Sequence, residues 1–446
     1  MKTLSKEQIS NFLAFTVWSN SNFIDIDYLN SINLNDNSDK DIEFFKESVL
    51  SIFNDEIASY NITDWENIWL LLSGWLDSTL LLSILKDTFP SSKIHTYTLW
   101  YSSSDAHLVK AKNIAEKYNT VHREVVYDLQ SNLLETFNEI YETWYDLEWE
   151  DSLIMNHILS KEVAKDCKIV FSWFWLDYIF AGMDLFRNSF MEKLYNKKLI
   201  DKSYIFNVLW WNKYYLKYVL DKINSPLSDK FFVKYWEYYA YNLNNNLQEL
   251  SSKYFLDKVW SIRWDITELK KQIYFIITTS LSNRYNPYNL PYSKLGVKHF
   301  NPFGSKKVIT DVISLNIPDN YLYNPYTKEK KFIIREITKE KISSDLLNNL
   351  HTWTVLNYEQ SFRNNKSMIL KLVNDNYNFL VNFFWSDFLN NFDKLIEDSV
   401  WYENSKQIIL VLQLLFYVKN NQVFLYETTN VNQVLNESVW EKVLVR

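Results

Sequence analysis

The chain has one cysteine and only four glycines among 446 residues. A single cysteine excludes an internal disulfide framework and any cysteine-built metal cluster. Cys167 stands at the start of an apolar run, which suits a small buried residue better than a nucleophile. Basic excess is absent: Lys and Arg number 47 against 54 Asp and Glu, giving a net charge of -7. That argues against a general nucleic-acid surface. No long hydrophobic run occurs either. Ile408 to Val418 is interrupted by Gln413 and falls short of the ~20 residues that span a bilayer. Met1-Lys2-Thr3 opens no apolar signal segment. The expectation is a soluble, cytoplasmic protein that touches neither membrane nor nucleic acid. His95, His122 and His157 lack metal-ligand spacing and read as structural.

Glycine scarcity is the strangest of these absences, because average usage is about 7%. A large α/β protein with so few would lack residues for its tight turns and helix C-caps. Tryptophan is in excess, with 18 copies. One expectation covers both oddities: a conceptual translation in which UGA is written as Trp, from a source that reads UGA as Gly, without every Trp being affected. The alternative is an ordinary Trp-rich protein with a lost site.

What is present is hydrophobic periodicity, with 47% hydrophobic and 17% aromatic residues, ample for a core. Residues 42 to 60 carry apolar positions at helical spacing. Ile68 to Leu72 reads as a buried parallel strand, broken at Ser73-Gly74, with a helix from about Ser78. Lys93 to Leu99 and His122 to Val126 read as strands two and three, and Lys168 to Phe171 as strand four. Helical patterns at 105 to 118, 128 to 146 and 152 to 165 lie between them. Such alternation implies a parallel, Rossmann-like sheet covered on both faces. Ligands then bind at the carboxyl ends of the strands, where the loops 73 to 78, 100 to 105 and 172 to 177 emerge. Beyond about residue 184 strand patterns stop. Helical patterns follow at 205–223, 228–256 and 265–282, then a Pro/Asn-rich stretch (286–304) and further helices. The division expected is an N-terminal extension (1–41), a nucleotide-binding α/β core (42–184) and a mainly α-helical part (185–446).

A strand, a polar turn and a helix N-terminus make an anion site, because the free N–H groups and the positive dipole end face the ligand. No Gly-x-x-x-x-Gly-Lys-Ser/Thr run exists, so this is not a Walker loop. With Trp75 read as Gly, Leu-Leu-Ser-Gly-Gly-Leu-Asp-Ser resembles the pyrophosphate loop of adenylating ATP pyrophosphatases, most closely asparagine synthetases. Further motifs follow in that family's order. Tyr145 to Ser152 resembles the segment before its substrate-side helix, and Ser172 to Gly182 its second glycine-rich loop. Gly296 to Phe303 resembles its later Arg-x-Pro-Phe turn, and Lys328 to Glu336 its lysine-bearing helix. Trp69, Trp100, Trp173 and Trp175 fall at places that resemble glycine positions of the family. The resemblance covers roughly residues 42 to 418.

The resemblance implies roles. Ser73, Gly74, Trp75 (as Gly) and Ser78 would hold phosphates, with Ser172 and Trp173 on the second loop. Leu71, Leu99 and Trp100 would line the adenine of ATP. Asp77 and Asp177 are hard oxygen ligands suited to Mg²⁺ bridging phosphates. Lys328 would neutralise charge on the departing pyrophosphate. Asp151, Phe174 and Tyr178 would lie on the substrate side. The reaction implied is attack of a carboxylate on the α-phosphorus of ATP, then attack of an amine on the acyl-adenylate.

Two departures bear on the product. Where the family carries Glu between its glycines and after its Asp, this chain has Phe174 and Tyr178. The family's N-terminal glutaminase domain, with its Cys at position 2, has no counterpart, so ammonia would come free or from a separate glutaminase. The expectation is an AMP-forming amide ligase acting on a small-molecule or peptide carboxylate. The alternatives are a lactam- or lasso-peptide-type cyclase and a non-catalytic protein whose loop is blocked by Trp75. A sulfur transferase of the same superfamily lacks its cysteine pair.

Overall fold

The computed structural model describes residues 3–5, 23–63, 66–100, 106–143, 152–182, 261–278, 282–324, 326–327, 329–342, 358–399, 402–421 and 424–426. The expected helices at 205–223 and 228–256 lie outside these residues, as do Lys328 and Asp151.

The first long helix, α1 (Ile42–Ala58), is capped by Asp41, whose carboxylate accepts from the Phe44 N–H at 3.0 Å. It buries Phe45, Val49, Phe53 and Ile57. Then come β1 (Ile68–Leu71), α2 (Leu76–Thr88), β2 (Ile94–Trp100), α3 (Ala106–Lys117) and β3 (Val121–Val126). Next are α4 (Leu129–Thr143), α5 (Ser152–Val163), β4 (Ile169–Phe171) and the single turn α6 (Leu176–Ile179). These bounds match the hydrophobic periodicity to within a few residues.

The strands form a parallel sheet of five in the order β3-β2-β1-β4-β5. The fifth, β5 (Lys298–Phe300), comes from the part of the chain where strand patterns were expected to have ended. It follows α7 (Ser282–Lys294), so the Pro/Asn-rich stretch holds a helix and an edge strand. The order reverses between β1 and β4, and their carboxyl ends open one crevice at this switch point.

Helices flank the sheet; α8 (Phe332–Lys341) packs against α1 and α2, and α9 (Tyr402–Asn421) against α4. The apolar stretch Ile408 to Val418 is buried all round within α9. It packs on α4 through the stacked rings of Phe137 and Phe416. No described helix is long and apolar enough to cross a membrane. Part of the expected N-terminal extension belongs to the core. Ile24, Ile26, Leu29 and Ile32 are buried, and the Arg263 guanidinium donates to the Ile32 carbonyl at 2.9 Å. Thr3–Ser5 pairs in parallel with Phe424–Tyr426.

Candidate active site

The turn after β1 closes on itself through hydroxyls. Ser73 Oγ lies 2.9 Å from Ser78 Oγ, and the Trp75 N–H donates to Ser73 Oγ at 3.3 Å. The Trp75 carbonyl accepts from Ser78 Oγ at 3.1 Å and Thr79 Oγ1 at 2.7 Å. Helix α2 starts two residues earlier than the periodicity indicates. Trp75 is its N-cap, and Asp77 and Ser78 lie inside its first turn. The left-handed residue is Gly74, at φ +76°. A Cβ there would also stand 2.8 Å from the Ala111 nitrogen of α3, so glycine is required twice over. Trp75 has φ -106°, which any residue adopts, so its torsion does not by itself require glycine at 75.

At the end of β2, Leu99 is buried and Trp100 half-buried. Leu71 ends β1, and Thr98 Oγ1 donates to the carbonyl of the next residue, Leu72. These sit at the crevice edge where the adenine lining was expected.

The second loop leaves β4 at Ser172, whose buried Oγ has no hydrogen-bond partner among the described residues. Its backbone N–H donates to the Phe300 carbonyl at 2.8 Å, anchoring the loop to β5. Asp177 lies in the turn α6, across the crevice from Asp77. Between them reaches an ammonium from a distant part of the chain. Lys331 Nζ stands 2.8 and 2.7 Å from the two carboxylate oxygens of Asp77 and 2.8 Å from Asp177 Oδ1. The side chain of Asp77 is only 5% exposed. Burial pushes its carboxyl up to about 6; Lys331 opposes that shift and Asp177 adds to it. Burial alone would lower the Lys331 ammonium, but Asp177 and Asp77 hold it above the ordinary lysine range. Gly182 makes room for this contact, since a Cβ there would collide with Asp177 Oδ1 and Lys331 Cε. Arg335, one turn along α8, adds a second cation whose guanidinium burial lowers from its usual value.

Lys331 is the residue that the sequence reading missed. Lys328 to Lys331 reads as a charge run, and the resemblance placed the role on Lys328, which lies outside the described residues. Lys331 differs in being the left-handed N-cap of α8, at φ +50°, directly before the apolar face Ile333-Ile334. That adjacency to the amphipathic helix was the available signal.

Around Phe174 and Tyr178, expected on the substrate side, rings dominate. Phe174 packs on Tyr288 at a centroid distance of 4.2 Å and on Trp173 at 5.0 Å. Trp175 packs on Tyr288 at 4.7 Å and on Tyr178 at 5.3 Å. The His299 ring lies 6.3 Å from Phe174.

A loop at a helix N-terminus, two carboxylates and two cations meet at one switch point, a chemistry that could receive a polyphosphate. Comparison with protein families agrees. The asparagine synthase model matches residues 65–349, well over half of the chain. The chain belongs to the asparagine synthase family. Its match runs from just before β1 to just beyond α8, enclosing both loops and the Asp77–Lys331–Asp177 cluster. At family level this is an ATP-dependent amide ligase fold. No curated protein matches the chain.

Proposed function

We propose that this asparagine synthase-family chain adenylates a carboxylate with ATP and passes the acyl group to an amine. The observation that carries the reading is the Lys331 ammonium held between Asp77 and Asp177 at the β1/β4 crevice. Phosphates would sit at the α2 N-terminus, against Ser73, Gly74, the residue-75 backbone and Ser78. A carboxylate oxygen of the substrate attacks the α-phosphorus, and pyrophosphate leaves. The amine nitrogen then attacks the acyl carbon, AMP leaves, and the nitrogen loses a proton. Lys331 and Arg335 offset negative charge as it builds on the pyrophosphate, which is electrostatic catalysis.

Two carboxylates suit Mg²⁺, which takes one or two from the protein and completes its shell with phosphate and water. Among the described residues no group of three His, Cys, Asp or Glu forms a metal cage, so a metal held only jointly with nucleotide fits the donor set. Asp77 and Asp177 would hold it, and it would supply charge neutralisation on the phosphates.

Asparagine is not the product we favour, because Phe174 and Tyr178 stand where the family has glutamates. The amine is free ammonia, ammonia from a separate glutaminase, or an amine within the same substrate, as in lactam- and lasso-forming relatives. Such a reaction belongs in the cytoplasm, where ATP is abundant. A non-catalytic reading draws on the indole of Trp75 beside the cradle. ATP–pyrophosphate exchange over a panel of carboxylates, run on the chain with Trp75, Trp173 and Trp175 each replaced by Gly, tests the proposal. Exchange with any carboxylate supports it, and none across the panel overturns it in favour of a binding protein.

A further inference from the structure

We infer that Trp75, Trp173, Trp175, Trp264 and Trp385 are glycine in the protein as its source makes it. The structure bears on this independently of the ligase reading, through where the tryptophans lie. Seven of the 18 are described: 69, 75, 100, 173, 175, 264 and 385. None is inside a described helix, although helices hold much of the described chain. Phenylalanine and tyrosine behave otherwise: Phe44, Phe45, Phe53, Phe137 and Tyr141 all sit within helices. Large apolar rings are therefore welcome in these helices, yet the seven described tryptophans all lie outside them. Avoidance of helix interiors is the habit of glycine, which costs about 1 kcal/mol there.

Three of the seven are helix N-caps: Trp75, Trp175 and Trp385. An indole carries no oxygen with which to accept the N–H groups of a first turn. Asp25, Asp41, Thr267 and Ser305 cap other helices here, each accepting a backbone N–H. Glycine ranks close behind such residues as an N-cap, and large apolar residues rank far below. Trp175 adds a second mark, at φ +88°. This left-handed conformation favours glycine and costs a bulky residue roughly 1–2 kcal/mol. Its indole also presses on the Pro302–Gly304 turn so closely that a Cβ on Gly304 would collide with it. Trp264 lies in a turn with 87% of its surface exposed, where an indole buries almost nothing. Trp173 shares the short loop between β4 and Trp175. Trp69 is left out: it stands within the β1–β2 pair and stacks on its register partner His95 at 5.1 Å, a fit for tryptophan. Trp100, the last residue of β2, is left out on the same grounds.

Counting glycine and tryptophan together gives 22 residues, far closer to the usual glycine share of about 7% than four are. A single codon read as Trp in one genetic code and as Gly in another would account for all five positions. The consequence falls on the site. Residues 75, 173 and 175 border the β1/β4 crevice, and glycine at each removes an indole from the phosphate side or the substrate side.

Mass spectrometry of the protein purified from its source cells decides the matter. Peptides covering 75, 173, 175, 264 and 385 are expected to be lighter than the written sequence by one Trp-to-Gly difference at each position. Glycine at 75 and 175 supports the inference, and tryptophan at either overturns it. A glycine-bearing protein with no pyrophosphate exchange would count against the ligase reading and leave the residue identities standing.

Discussion

At the scale of single residues, the cluster of Asp77, Lys331 and Asp177 is the most consequential feature. Two carboxylates share one buried ammonium, so removing the ammonium leaves two uncompensated charges. Lys331→Ala is therefore expected to cost about 3–5 kcal/mol of stability, the usual penalty for breaking a buried pair from one side. Adding Asp77→Asn to Lys331→Ala should recover part of that loss, since the amide needs no counter-charge. Urea denaturation of the two single variants and the double variant measures this coupling, and strict additivity would mean that the pair does not interact. In a Trp75→Gly background, Lys331→Ala should also reduce pyrophosphate exchange about 10²–10³-fold, the worth of one well-placed charge donor. His299 supplies a pH test. The residue is half-buried as a whole, but its Nε2 is shut off from solvent without a partner among the described residues, and Nδ1 lies 2.7 Å from Asn289 Oδ1. Burial pushes the imidazole from 6.5 to about 3. A depressed histidine contributes stability that is present above 6.5 and lost as pH falls toward 3. Asp77 works in the other direction, because its raised carboxyl favours the fold as pH drops from about 6 toward 3.8. Comparing the urea midpoint of the parent with that of His299→Gln isolates the histidine. The parent is expected to lose more stability than the variant between about pH 7 and about pH 4.5. Parallel curves would show that His299 does not remain neutral.

At the scale of elements, the sequence shows what is local and hides what is not. Strands β1 to β4 and the helices between them are legible because each is a run of its own period. The loops at 73 to 78 and 172 to 177 are legible as interruptions of that period. Strand β5 is hidden: three residues, Lys-His-Phe, have no readable alternation, and they become a strand by pairing in parallel with β4, where the Ser172 N–H donates to the Phe300 carbonyl and the Lys298 N–H to the Lys168 carbonyl. Lys331 is hidden for a similar reason, since its reach to Asp77 crosses 254 residues. The burial of Ile24, Leu29 and Ile32 is equally non-local, set by contact with later segments such as Arg263. Helix α9 carries a buried amide at its centre that the described residues around it do not serve. Gln413 is fully buried, and among the described residues neither its amide oxygen nor its nitrogen has a hydrogen-bond partner. An unsatisfied buried amide costs roughly 1–3 kcal/mol, and leucine has similar volume without the polar atoms. Gln413→Leu is thus expected to stabilise the protein by about that amount. A thermal melt reads the result directly, and a lowered midpoint would mean that the amide is satisfied in solution.

At the scale of the whole molecule, the site joins parts of the chain that lie far apart in sequence. The α2 N-terminus, the α6 turn and the start of α8 meet at the crevice, where ion pairs link them. A nucleotide with Mg²⁺ placed there would tie the three segments together, with Asp77 and Asp177 as the residues that would hold the metal. Ligand that binds only the folded state stabilises it by mass action, by about 2.7 kcal/mol at a concentration roughly one hundred times Kd. The Trp75→Gly protein should therefore melt at a higher temperature with MgATP than without it. The protein bearing Trp75 should gain little, because the indole takes space beside the phosphate cradle. Asp77→Asn in the Trp75→Gly background should give an intermediate gain, since it weakens the metal's hold but leaves the loop intact. Differential scanning fluorimetry with MgATP, MgAMP and Mg²⁺ alone separates these cases. An equal shift for the parent and for the Trp75→Gly protein would place the nucleotide elsewhere, and the loop after β1 would then be only a turn.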